Sequence, residues 1–241
     1  MIVIYSSLIS GNVDWGDGDD SGRLFLNDSN IEGDLIFGKG KDNFELLSGT
    51  LNNVHLGDAN DVDLDGNEIL IDGAIVKGDV VGAAGNDDVK LNSGVINGSV
   101  ITGDGNDVFT WTGGELGTGL NTGNGSDKAM ISGQGFLAET ILDGGDDSSS
   151  EDGYIDELSL IGINREISSQ EIVNWEIVNF ENSLISLATG ELNSGIDNQM
   201  GIFLKNSVLS STASLNLNSN LSIDSFSSLT HSGGTISGSV S

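Results

Sequence analysis

At residues 96–133 the chain reads INGSVITGDGNDVFTWTGGELGTGLNTGNGSDKAMISG, a phrase stated once and restated about twenty residues later. It enters on an apolar residue and a glycine, Ile96 and Gly98, passes a brief strand to Gly103, and turns at Asp104, Gly105, Asn106 and Asp107. Phe109 and Trp111 then alternate with polar neighbours up to the pair Gly113 and Gly114. A glycine and aspartate turn recurring at this period marks a chain wound into stacked coils.

Outward from this stretch the phrase recurs. The aspartates that close the turns are Asp20, Asp42, Asp61, Asp87, Asp107, Asp127 and Asp147, at intervals of 22, 19, 26, 20, 20 and 20. Near-constant spacing broken by single longer intervals means that loops change length while the stacked strands do not. The entries align as ISGNV (9–13), IEGDL (31–35), IVKGDV (75–80), INGSV (96–100) and LGTGL (116–120), with a shortened LNNV (51–54) and a glycine-free FLAET (136–140). After the turns, Phe44 and Leu46, Val89 and Leu91, Phe109 and Trp111, and Ala129 and Ile131 alternate with polar residues. Alternation at period two places one strand face inside.

Strands this short cannot bury an apolar face alone. Stacking solves the problem: equivalent strands of successive coils pair in parallel about 4.8 Å apart, and their apolar residues form interior ladders. The expected fold is all-β, a right-handed parallel β-helix with coils of about twenty residues, since parallel crossovers take that hand. Eleven or so coils make a rod about 50 Å long.

The whole chain, 1–241, reads as one domain: Gly/Asp-turn coils over 1–147, an irregular loop region over 148–170, and Ser/Asn/Leu-rich coils over 171–241. The insertion at 63–72, DLDGNEILID, is expected to leave the rod as a loop or hairpin, and DDSSSED at 146–152 as an acidic loop. Ser168 and Glu171 have the spacing of a capped helical turn. The pattern is already running at Ile9 and is re-entered at 234–240 with no turn after it, so the sequence reads as a piece of a longer chain.

Composition narrows the function. The 36 glycines, the absence of proline and the wealth of Asn, Asp and Ser suit tight turns. A net charge of −29, from 8 basic and 37 acidic residues, repels phosphate backbones and anionic lipid, which excludes nucleic acid and membrane surfaces as partners. No stretch approaches the roughly 20 apolar residues of a membrane span, so no membrane insertion is expected. The opening MIVIYSSLIS lacks the basic segment of a signal peptide, and the absence of cysteine removes thiol chemistry.

The GDGND turn at 103–107, entries such as INGSV (96–100), and NWEI (174–177) followed by Ser- and Leu-rich strands resemble the passenger domains of bacterial autotransporters. The resemblance implies a secreted or cell-surface β-helix, exported across the outer membrane through a β-barrel, that binds a host cell-surface receptor protein as a virulence factor. The acidic, proline-free style is similar to a proangiogenic member, a mitogen acting on an endothelial growth factor receptor. Agonism of a dimerising receptor makes a homodimer a further expectation.

The chemical candidates are few. GDGND resembles half of a Ca²⁺-binding nonapeptide, which makes Asp87, Asp107 and Asp127 candidate calcium ligands. The copies stand twenty residues apart instead of nine, so the half-sites of that motif do not face one another, and no cofactor is expected. Stacking nonetheless puts these aspartates in a column roughly 5 Å apart, where each adjacent pair repels by about 3 kcal/mol at an effective dielectric of about 20. Such a column must be solvated, partly protonated or neutralised by cations. In the plainest case each Asp bonds within its own turn and faces water.

Paired carboxylates for a polysaccharide-active enzyme are easily found among 37 acids, an abundance that makes them uninformative. The two histidines, His55 and His231, do not compose a nucleophilic triad. Trp111, and Trp15 in the matching strand, belong in the core, while Trp175 is open to either role. No catalytic residue is expected, and partner contact is assigned to Asp65, Asn67 and Glu68 of the insertion, because loops leaving a rigid scaffold carry recognition.

Overall fold

The structure, a computed structural model, describes residues 2–57, 66–132, 139–146, 153–188, 190–195, 200–211 and 214–241. Among these the regular elements are strands, apart from one 3-10 turn at Ser169–Glu171. The fold is a parallel β-helix. One long sheet runs the length of the stack along a path of eleven strands, from Ile2–Tyr5 through Asn43–Leu51, Asp88–Ile96 and Val108–Trp111 to Leu221–Ile223. A second sheet of eight short strands, Val13–Asp14 to Ile172–Val173, accompanies it through the first part of the chain. Beyond it a four-stranded sheet, opening with Asn164–Ile167, and a two-stranded sheet, Gly190–Asn193 with Leu215–Asn218, take over.

The period-two alternation supplies the core. In register across the long sheet, Phe44, Ile69, Val89, Phe109, Ala129 and Leu158 stack one above another, all buried. Leu46, Ile71, Leu91, Trp111, Ile131 and Leu160 form the neighbouring ladder. Each such side chain contributes roughly 1.5–3 kcal/mol, and no coil can collect this without its neighbours. The entry phrases align as expected in the second sheet, where Val13, Leu35, Val54, Val80, Val100 and Leu120 pair in succession.

The turn glycines are demanded by backbone geometry. Gly123 sits at φ +90°, and a Cβ there would collide with the carbonyl oxygen of Gly103 in the coil below. Close stacking of the turns therefore selects glycine at this position in successive coils.

Several sequence expectations are corrected. The insertion at 63–72 does not leave the rod over its second half: Glu68–Val76 is a full strand of the long sheet, because Ile69 and Ile71 are needed inside. Its entry phrase begins at Val76, in register with Leu51 and Ile96, while Ile75 points outward. Leu142, not Thr140, follows Leu120 in the second sheet, and Phe136 lies outside the described residues. The region 148–170 holds two strands in normal register, Glu157–Ile161 within the alternating stretch 154–161, and Asn164–Ile167. The cap at Ser168 and Glu171 forms, with both reciprocal hydrogen bonds of a capping box.

Candidate functional site

The turn aspartates are buried, and they are the molecule's most unusual feature. Each occupies the position just before a strand of the long sheet, and each accepts, on one carboxyl oxygen, the backbone N–H of its counterpart in the preceding coil. The Asp20 N–H donates to Asp42 Oδ1 at 2.8 Å, Asp42 to Asn67 Oδ1 at 2.9 Å, and Asn67 to Asp87 Oδ1 at 2.7 Å. Asp87 donates to Asp107, Asp107 to Asp127 and Asp127 to Asp156, all at 2.7 Å, and Asp156 to Glu176 Oε2 at 2.6 Å. The column thus runs unbroken through seven coil contacts, and its side chains from Asp42 to Glu176 are at most 2% exposed.

Three expectations change here. The aspartates' short hydrogen bonds run to the neighbouring coil, and they are sealed from water. Asp61 and Asp147, which the spacing placed in the column, lie outside the described residues, and the column positions are held by Asn67 and Asp156. Of the proposed recognition residues, Asn67 is 2% exposed inside this column and Glu68 opens a strand, its carboxylate 2.6 Å from Lys90 Nζ. Asp65 lies outside the described residues.

The local signal for the true members was present. A polar residue followed at two and four positions by inward apolar residues describes Asp42 (Phe44, Leu46), Asn67 (Ile69, Ile71), Asp107 (Phe109, Trp111) and Asp156 (Leu158, Leu160) alike.

The second oxygen of Asp87, Asp107, Asp127 and Asp156 is buried with no donor at normal hydrogen-bond distance and angle, although the Asn67 amide lies near Asp87 and the Thr102 and Thr122 hydroxyls near Asp107 and Asp127. Desolvation of that oxygen disfavours the charged form. Burial, opposed by the Asn67 N–H and reinforced by the charge of Asp107, pushes Asp87 up to about 7. Burial raises Asp107 against the Thr102 hydroxyl and the Asp87 N–H, and Asp104 adds to it. For Asp127 burial, with Asp107 and Asp146 adding, gives about 7. For Asp156 burial, with Asp127, Glu176 and Asp146 adding, gives about 8.

Asp34, at the other corner, behaves oppositely. Desolvation would raise it, but donors from Asn53 and Asn52 outweigh this and lower it, with the nearby His55 adding to the effect. Its Oδ1 receives the Asn53 N–H at 3.1 Å and the amides of Asn53 and Asn52 at 2.8 and 3.0 Å.

Among the described residues no three His, Cys, Asp or Glu side chains converge to hold a metal ion. Asp87, Asp107 and Asp127 are spread along the axis, each with one oxygen committed to backbone. They form a hydrogen-bonding ladder.

Outside the column, a shallow groove of about 680 Å³ runs over the turns, lined by Asn86, Asp104, Asn106, Asn124, Asp146 and Tyr154. On the outer face of the second sheet Ile36, His55, Val81 and Ile101 form one row in register. His55 Nε2 lies 3.5 Å from Asp34 Oδ2, and Asp14 and Asp17 border the shallow depression beside Ile36 and His55. His231 approaches Ser211 Oγ at 3.4 Å, but that oxygen already takes the Ser232 N–H at 2.9 Å. Trp111 and Trp175 are buried, the latter donating to the Leu142 carbonyl at 2.9 Å, while Trp15 is partly buried against Phe44, ring centroids 4.8 Å apart.

Fold and site together define a parallel β-solenoid with an internal acid ladder. No family model, curated protein or solved structure matches the chain. No helix among the described residues is long and apolar enough to cross a membrane.

Proposed function

We propose that this chain is the rod of a secreted, autotransporter-type passenger, a non-enzymatic virulence factor that presents an outer sheet face to a host cell-surface receptor protein. The observation that carries the reading is the outward row Ile36, His55, Val81 and Ile101, with Asp14, Asp17 and Asp34 around it. Ile101 is 37% exposed, and Ile141, further along the same sheet, 46%. An apolar strip with a charged rim has the anatomy of a protein interface, and an acidic rim favours a basic partner surface. Phosphorylation of an endothelial growth factor receptor is the response the sequence resemblance implies.

The test is binding of the purified chain to endothelial cells, with receptor phosphorylation and proliferation as readouts. Ile101→Asp with Ile141→Asp should abolish binding while leaving the unfolding midpoint nearly unchanged. Undiminished binding by this variant, or silence of the parent chain, contradicts the reading.

A second reading, a polysaccharide-active or polysaccharide-binding rod, is favoured by the amide- and acid-lined groove that Tyr154 helps to line. Reducing-sugar release or retention on a glycan panel would select it.

A further inference from the structure

The Asp column seals carboxyl oxygens that have no donor at normal hydrogen-bond distance and angle, an arrangement that burial makes costly for the ionised form. The Thr102 hydroxyl faces the Asp107 carboxyl, yet its single proton is given to the Thr122 carbonyl at 2.7 Å. One coil on, the Thr122 hydroxyl faces Asp127 and gives its proton to the Gly144 carbonyl at 2.9 Å. In both places a hydroxyl oxygen is left looking at a carboxyl oxygen that is buried with no donor at normal hydrogen-bond distance and angle. A carboxylate oxygen sealed from water and without a donor is costly. A proton on that oxygen removes the charge that burial penalises and leaves the threonine-to-carbonyl bonds as they are.

Independent support comes from Asn67. It stands in the same column, uses its Oδ1 identically, and has the shape of a neutral aspartic acid. Its amide faces the Asp87 carboxyl. The chain therefore already places an uncharged isostere where the ladder needs an acceptor and no charge.

We propose that the column is a proton store, in which Asp87, Asp107, Asp127 and Asp156 are held as neutral carboxyls, so that the rod is a pH-responsive scaffold, tight in acid and loosened as these groups are forced to ionise. The charged groups that act on the four carboxyls are the column's own members, Glu176 at its end among them, and from the adjoining turns Asp104 and Asp146. All are acids, so the charges around the column favour retention of the proton. The protons come from solvent on folding, one for each carboxylate of the unfolded chain, and return to it on unfolding.

A group held protonated in the fold contributes stability that is complete below its unfolded value, about 4, and is lost as pH rises through its folded value. With Asp87 and Asp127 at about 7 and Asp156 at about 8, stability should decline from about pH 4 to about pH 8 and then level. General repulsion among 37 acids also weakens the fold as they ionise, so the experiment needs a control matched in charge.

Unfolding midpoints would be measured across this range for three chains. These are the parent, the column variant Asp87→Asn/Asp107→Asn/Asp127→Asn, and the surface variant Glu32→Gln/Glu115→Gln/Glu191→Gln at exposed sites. The parent midpoint should fall with pH, the surface variant should fall in parallel, and the column variant should lose most of the decline and overtake the parent at about pH 8. A parent that is flat or rises with pH, a column variant that keeps the parental slope, or a surface variant that loses as much overturns the proposal. Should the column variant not fold, the infrared spectrum of the parent decides. A protonated-carboxyl C=O band at neutral pH that vanishes on unfolding supports the store, and a folded protein without that band refutes it.

Discussion

The two corners of the long sheet solve one problem with different chemistry. Wherever a coil turns out of or into this sheet, a backbone N–H is left without a strand partner and must find an acceptor on the next coil. At the entering corner, from Asp42 to Glu176, the acceptor is a carboxyl or its amide isostere. At the leaving corner of the later coils it is a serine: the N–H of Ile163 donates to Ser183 Oγ, Ser183 to Ser207 and Ser207 to Ser227, at 3.0, 3.0 and 2.9 Å.

The serines are satisfied in both directions, since Ser183 Oγ also donates to the Leu160 carbonyl and Ser207 Oγ to that of Phe180. The carboxyls have one oxygen satisfied and a second buried with no donor at normal hydrogen-bond distance and angle. The stack thus requires an acceptor, and charge is incidental to that requirement. Choosing aspartate makes the same ladder responsive to pH.

The comparison breaks first at Asp107. Replacing it by leucine removes the acceptor of the buried Asp87 N–H and the carboxyl packed on Thr102. We expect a loss of about 3 kcal/mol by chemical denaturation at about pH 5. The loss should shrink as pH rises above about 5, because the variant no longer has to hold a proton there, at a rate of up to about 1.4 kcal/mol for each pH unit. Ser207→Ala should cost less, about 2 kcal/mol, from the orphaned Ser183 N–H and the lost bond to Phe180, with no dependence on pH in this range. A pH-dependent Ser207→Ala penalty, or a pH-independent one for Asp107→Leu, would erase the distinction between the corners.

Much of this architecture was legible because it follows from periodicity. Gly/Asp turns at twenty residues, with Phe109 and Trp111 or Val89 and Leu91 behind them, leave little but a stacked coil. The errors cluster where loop length varies. Asp61 and Asp147 fitted the interval, but the strand that follows is fixed by its apolar residues, so Asn67 ahead of Ile69 and Asp156 ahead of Leu158 hold the column. Hydrophobic register governs because burying Ile69 and Ile71 contributes several kcal/mol, whereas the identity of the acceptor can vary.

Two of the residues assigned to recognition lie on the rod: Asn67 is buried just ahead of the strand that Glu68 opens. That the aspartates are buried could not be read from composition. An Asp next to glycine ordinarily faces water, and only close stacking of coils, with Thr102 and Thr122 covering the inner side, closes the site.

The central claim is most directly tested by the carboxyl resonances of Asp87, Asp107, Asp127 and Asp156 in the folded protein, followed by carbon-13 NMR as pH is raised from about 3 to about 9. The account predicts that these four remain protonated after carboxyls of the ordinary value, about 4, have ionised, with midpoints displaced to about 7 for Asp87 and Asp127 and about 8 for Asp156. Titration of all four at that ordinary value, about 4, would contradict it.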